Sequence, residues 1–213
     1  MSMQHLVIIG AGGFGREMFG AAREAVGFGT EFDIKGFLDD RIDALSGFNG
    51  YPPVLSSLAG YRPAPDDVFI TALGDIATRR RCAGLIAAKG GRFISVVHRT
   101  ASLGPNVTVG AGSFVAHNVV LTADVHTGDH VCIFHNTSIG HDTTLGDYAH
   151  VYAQCTIGGS VRIGAGAAVY PGARVVPRIE IGEDAVVGIG SVVILGVPAK
   201  TTVVGNPAAP ARF

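Results

Sequence analysis

From Leu103 onward the chain repeats itself every six residues, and that period constrains the fold more tightly than any other feature. Aliphatic side chains stand at Leu103, Val109, Val115, Leu121, Ile133, Ile139, Leu145, Val151, Ile157, Ile163, Val169, Val175, Ile181, Val187 and Val193, with Thr127 the one interruption. Four residues after each comes a small or β-branched residue, as at Val107, Ser113, Thr137, Ala149, Cys155, Ala167 and Ser191, and no charged or aromatic residue enters this second series. A fixed period held over so long a stretch means stacked units that bury a continuous core between them. Three hexapeptides close one triangular coil, so about five coils stacked at ~4.8 Å are predicted. Phe134, Tyr152 and Tyr170 recur every eighteen residues and are predicted to stack along one edge, as are His117 and His135. A sandwich of short strands would instead show period-two alternation between irregular turns. Glycine follows the aliphatic position at Gly104, Gly110, Gly128, Gly140, Gly146, Gly158, Gly164, Gly182 and Gly188. We expect a turn there that exploits glycine's freedom at positive φ.

The preceding residues read differently, and we place a boundary so that 1–98 form one domain and 99–213 the other. Residues 6–9 predict a buried strand running into the glycine turn GAGGFG at 10–15, followed by an apolar-periodic helix through Met18, Phe19, Ala22 and Val26. Further strands are predicted at 34–38, 68–73 and 93–97, with a helix at 76–88. Alternating strands and helices predict a small parallel α/β, Rossmann-like domain. Such a turn at a helix N-terminus either lets the helix pack closely on the sheet or offers backbone N–H groups to a phosphate or sugar. Asp39 stands where a ribose-binding acid is found in dinucleotide sites. With so few strands the domain suits a mononucleotide better than NAD.

Composition narrows the partners. A formal net charge of −1 gives no basic field for nucleic acid or an anionic membrane. Mean hydropathy is +0.37, yet the longest apolar runs fall far short of the ~20 residues that span a bilayer. No secretory leader is seen at the N-terminus, and Cys82, Cys132 and Cys155 lack metal-like spacing, so free thiols in the cytoplasm are expected.

With FLDD at 37–40, LGD at 73–75, IGHD at 139–142 and VGNPA at 204–208, the chain resembles the bacterial sugar acetyltransferases of the sialic acid O-acetyltransferase type, which include UDP-4-amino-sugar N-acetyltransferases. The resemblance covers nearly the whole chain. It implies a left-handed parallel β-helix for the repeat, a homotrimer, and acetyl-CoA as cosubstrate without a metal. It further implies that a nucleotide-linked sugar touches Gly12, Gly13, Phe14, Asp39, Asp40 and Gly74. By the same resemblance His141 is the catalytic base with Asp142 raising its basicity, and acetyl-CoA lies between two subunits near His150, Gly159, Pro171 and Ile189. The VGNPA tail resembles an adenine-side wall of that groove. Two positions depart from the family pattern. Phe14 replaces a histidine found in many members, and Asp142 replaces a glutamate found in several.

The chemistry fits these residues, because acyl transfer from a thioester to an amine needs a base near neutral pKa, and imidazole has a reference value of ~6.5. The acceptor is expected to be the amine of a nucleotide-linked 4-amino-4,6-dideoxy sugar. The alternative is a hydroxyl of a sialic acid-like sugar, for which Arg16 and Arg41 would supply charge. Two other readings compete. A β-helix carbonic anhydrase would use His126, His130 and His135 around a metal, but resembles IGH followed five residues later by a second histidine, where this chain has Gly146. A non-catalytic nucleotide-binding trimer would not need His141.

Overall fold

The computed structural model describes residues 3–211, and its contacts divide the chain between Val96 and Val97 into two compact units.

The N-terminal unit is built on a five-stranded parallel sheet. In chain order its elements are β1 (Gln4–Ile9), α1 (Gly13–Ala22), β2 (Phe32–Leu38), β3 (Val54–Ser56), β4 (Asp67–Thr71), α2 (Ile76–Ala87) and β5 (Arg92–Phe93), with strands arranged β3-β2-β1-β4-β5. β1 is central, and Leu6, Val7 and Ile8 are fully buried, as a parallel strand covered on both faces requires. Helix α1 buries Met18 and Ala22. Helix α2 begins at Asp75, whose carboxylate accepts the Thr78 N–H at 2.7 Å. At the opposite end of the sheet Asp67 is buried and accepts from Lys35 Nζ at 2.6 Å, Tyr61 Oη at 2.7 Å and the Ala64 N–H at 2.8 Å. Burial pushes the Asp67 carboxyl up, but these donors outweigh it and hold its pKa below the ordinary carboxylate value.

Three local expectations change. The first helix stops at Ala22 rather than reaching Val26, because Gly27 and Gly29 take positive φ just beyond and Val26, 65% exposed, has no core to face. The apolar run at 93–97 divides, Arg92–Phe93 pairing with β4 while Val96–Val97 joins the β-helix. Strand β3 follows Pro52 and Pro53 and is too short to register as a pattern.

The C-terminal unit is a left-handed parallel β-helix with three faces. One face stacks six strands from Ser102–Leu103 to Val192–Val193. A second stacks four, from His126–Thr127 to Glu180–Ile181. The third runs from Val96–Val97 through Phe114–Val115, Cys132–Ile133, His150–Val151, Ala168–Val169 and Val186–Val187 to Thr202–Val204, and ends with Ala209–Pro210. Successive coils pair eighteen residues apart, as in Cys132 with His150 and His150 with Ala168. The aliphatic positions from Val115 to Val193 point inward and are buried, apart from Thr127, whose hydroxyl accepts the Gly110 N–H at 3.0 Å. The predicted ladders are present. Phe134 stacks on Tyr152 at 5.5 Å and Tyr152 on Tyr170 at 4.8 Å, while His117 and His135 lie parallel at 5.0 Å.

The glycines at the start of each turn have a different role from the one expected. Left-handed φ recurs every six residues two positions later, at Asn106, Asn118, Asp124, His130, Asn136, Asp142, Tyr148, Gln154 and Ser160, with glycine taking that place at Gly112, Gly166, Gly172 and Gly190. Gly140, Gly146, Gly158 and Gly164 are absent from that set. A Cβ on each would come within 2.5–2.6 Å of a backbone nitrogen in the next coil. Close approach of coils, rather than backbone freedom, excludes a side chain there.

The last coil is shorter than the others. Val186 pairs with Thr202, sixteen residues on, after which Val203 and Val204 pair antiparallel with Pro210 and Ala209. The Ala208 N–H then donates to the Val192 carbonyl and the Val192 N–H to Gly205 O.

Candidate active site

In the N-terminal unit the strand order reverses between β1 and β4, which leaves a crevice at the carboxyl ends of the strands. A cavity of about 120 Å³ lies there, lined by residues that include Gly10, Asp39, Asp40, Leu73, Arg81 and Cys82. Asp39 ties the glycine turn to the end of β2, accepting from the Ala11 N–H at 2.9 Å and the Arg41 N–H at 3.0 Å, while Asp40 accepts the Leu58 N–H at 3.2 Å. Each carboxylate is thus anchored on backbone through one oxygen or both, at the rim of the cavity. Burial pushes the Cys82 thiol up, with Arg81 pulling the other way and Asp40 adding to the rise.

The glycines of this region fall into two groups. A Cβ on Gly10 would stand 2.8 Å from the Ala72 carbonyl, and one on Gly15 would stand 2.0 Å from the Gly10 carbonyl, so both are demanded by packing. Gly12, Gly13 and Gly74 meet nothing within 4 Å. Gly12 is the N-cap of α1 and brings no side chain to its amides. Phe14 is half-buried on the first turn of that helix.

In the β-helix, His141 occupies the turn between the six-stranded and four-stranded faces. Its Nδ1 lies 2.6 Å from Asp142 Oδ2, and the left-handed φ of Asp142, +59°, turns the two neighbouring side chains toward each other. An acid at Nδ1 leaves Nε2 as the free lone pair. Below, Gly159 occupies the same turn one coil further on, and the Ser160 N–H donates to the His141 carbonyl at 2.6 Å. Thr143 is fully buried beneath the turn and donates to Gly158 O at 3.1 Å.

The residues expected around acetyl-CoA are distributed over the coil. Gly159 shares the His141 corner. Pro171 and Ile189 occupy the corner on the other side of the six-stranded face, one coil apart, and Ile189 is 74% exposed. His150 is buried in the eight-stranded face, stacked between Phe134 at 5.0 Å and Tyr152 at 4.2 Å. One subunit does not bring these four together.

The comparisons with known proteins bear on both units. Residues 5–85 match the family model of the PglD N-terminal domain. The chain is 26% identical to a histidine-to-asparagine variant of perosamine N-acetyltransferase from Caulobacter crescentus, solved with CoA and GDP-perosamine, with a TM-score of 0.87 over 98% of this chain and 97% of that one. Over nearly its whole length the chain is thus similar to a sugar N-acetyltransferase, with the PglD N-terminal domain matched in its first unit. The acetyltransferase domain of PglB from Neisseria gonorrhoeae is 29% identical, with a TM-score of 0.79 over 98% of this chain and 100% of that one. Among curated relatives, UDP-N-acetylbacillosamine N-acetyltransferase of Bacillus subtilis is 30% identical over 117 residues, which are 53% of this chain and 51% of the relative. The aligned stretch therefore spans about half the length of that relative.

The competing histidines find structural roles. His126 Nδ1 is 2.8 Å from Thr108 Oγ1, His130 stacks on Tyr148 and His135 on His117. Among the described residues no group of three His, Cys, Asp or Glu side chains could hold a metal ion, and no helix is long and apolar enough to cross a membrane. Sequence reasoning missed Arg81 and Cys82 at the cavity, since both sit mid-helix in α2 without a motif to mark them.

Proposed function

We propose that this chain transfers an acetyl group from acetyl-CoA to the amine of a nucleotide-linked amino sugar, with His141 as general base. The observation that carries the reading is the contact of His141 Nδ1 with Asp142 Oδ2, which leaves Nε2 poised to accept a proton. The amine nitrogen attacks the thioester carbonyl while Nε2 takes its proton. The tetrahedral oxyanion then collapses, the C–S bond breaks, and the imidazolium returns the proton to the CoA thiolate. The Asp142 carboxylate steadies the imidazolium between these steps. A covalent route through Cys155 is disfavoured, because burial pushes its thiol up to about 11.

The N-terminal unit holds the nucleotide in this reading. Its support is the cavity at the switch point, the acids Asp39 and Asp40 on its rim, and three glycines whose open Cβ positions leave room for a ligand against the backbone at Gly12, Gly13 and Gly74. Phe14 borders the acceptor. The relatives named for perosamine and N-acetylbacillosamine favour an amine over a hydroxyl.

Acetyl-CoA lies along the coils between two copies of a homotrimer, so that His141 and Gly159 of one copy face the Pro171 and Ile189 corner of another, with His150 behind it. Exposed apolar side chains border the six-stranded face, among them Val120, Val176, Ile189, Ile194 and Leu195, and suit subunit packing. The three buried free cysteines accord with a cytoplasmic setting.

The test is an acetyl-transfer assay with UDP-, dTDP- and GDP-linked 4-amino sugars, together with His141→Ala. Turnover with one of these sugars and a loss of about 10²–10⁴ in kcat in the variant, at unchanged acetyl-CoA affinity, is expected. An active His141→Ala variant would remove the base.

A further inference from the structure

The distal edge of the His141 imidazole occupies the space above Gly159. A Cβ built on Gly159 would lie 2.7 Å from Nε2, 2.8 Å from Cε1 and 3.0 Å from Cδ2. Gly159 is itself buried.

Nothing else within the chain itself calls for glycine at position 159. Its φ is not left-handed; that conformation falls on its neighbour Ser160 at +58°. Gly112 makes an instructive contrast, because a Cβ there would also strike an imidazole, that of His130, yet its φ of +69° demands glycine independently. The equivalent turn position recurs every six residues from Pro105 to Leu195, occupied by proline, alanine, histidine, aspartate, glutamate, isoleucine or leucine everywhere except at Gly159. Side chains are therefore tolerated at this point of the turn on every other coil. The one place without a Cβ is the one beneath the exposed histidine that touches Asp142.

We infer that Gly159 is a positioning residue for the base, its bare Cα forming the floor on which the His141 ring rests. The atoms that a side chain at 159 would meet first are the far end of a mobile side chain rather than backbone. The ring, not the coil, yields to the substitution. A displaced ring carries Nε2 away from its place and breaks the 2.6 Å contact with Asp142, while the β-helix stays intact.

The inference rests on the reading of His141 as base, and its test separates the two. Gly159→Ala is compared with the parent, with His141→Ala and with the double variant, in kcat, both KM values, melting temperature and pH profile. We expect Gly159→Ala to melt close to the parent, to lose on the order of 100-fold in kcat with both KM values nearly unchanged, and to lose the parent's pH dependence of kcat. In the His141→Ala background the same substitution should have no further effect, since the ring it displaces is gone. A Gly159→Ala variant with parental kcat, or one that costs as much in the His141→Ala background, overturns the inference. A rise confined to the KM for acetyl-CoA does so too, because it would make Gly159 a cofactor contact alone. Failure of Gly159→Ala to fold would show that the coil yields rather than the ring, and also overturns it. Full activity of His141→Ala would instead sink the parent reading.

Discussion

His141 Nδ1 and Asp142 Oδ2 stand 2.6 Å apart on a turn where the two side chains are 66% and 60% exposed. A contact so open to solvent contributes little to stability. Its effect is orientational, fixing the tautomer and the angle of the ring. Asp142→Asn should therefore leave the melting temperature unchanged, since asparagine accepts a left-handed backbone readily, and reduce kcat by roughly 10–100-fold. Steady-state kinetics beside thermal melts check this, and an equal loss of stability and activity would refute it.

The two groups of glycines predict opposite phenotypes. Gly15→Ala places a methyl group against the Gly10 carbonyl and should destabilise the N-terminal unit by about 1–3 kcal/mol. Gly12→Ala, by contrast, places its Cβ where no atom of the chain lies within 4 Å, and should leave stability within about 1 kcal/mol while raising the acceptor KM. Chemical denaturation and acceptor titrations of the two variants distinguish them.

Asp39 holds the glycine turn through the Ala11 N–H and stands at the cavity rim. Removing it in Asp39→Ala leaves that amide without its acceptor and loosens the turn, an effect of about 1–2 kcal/mol. We expect the acceptor KM to rise roughly tenfold with acetyl-CoA affinity unaffected. Isothermal titration with each substrate gives the comparison, and an unchanged acceptor affinity would take Asp39 out of the site.

Acid should act on the other end of the sheet. The Asp67 carboxyl titrates below its ordinary value because Lys35, Ala64 and Tyr61 donate to it against the upward push of burial. A depressed carboxylate pKa contributes stability that is fully present above the unfolded value of about 3.9 and is lost as pH falls through the folded one. Melts between pH 6 and pH 3 should therefore show the parent losing stability below about pH 4, and Asp67→Asn should start lower and show a shallower acid limb. Parallel curves would rule out this contribution.

The β-helix was legible because a hexapeptide period leaves a mark at every coil: the inward series from Val115 to Val193 and the Phe134, Tyr152 and Tyr170 ladder follow from spacing alone. The glycines after each aliphatic residue were visible but misread, since sequence reports that a side chain is absent without saying whether backbone freedom or the next coil excludes it. His141 was conspicuous within IGHD. Its dependence on Gly159 was not, because contact between residues one coil apart is a property of stacking. In the N-terminal unit the GAGGFG turn and the acids stood out, whereas in α2 Cys82 reads as one more buried residue and Arg81 as one more exposed cation, and only the fold brings both to the cavity.

A stack of parallel strands is open at its ends, and each open end is a template on which another chain could add a rung. Here the final coil is cut short and the chain reverses, so that Ala209–Pro210 lies antiparallel on the last strand of one face while Gly205 and Ala208 take up both backbone groups of Val192 on the next. The outermost strand ends in a proline, which has no N–H to offer a newcomer. The tail thus works as a chain terminator for the stack: it limits association at that end, and leaves growth to proceed sideways, through the faces, where an assembly of copies can close on itself.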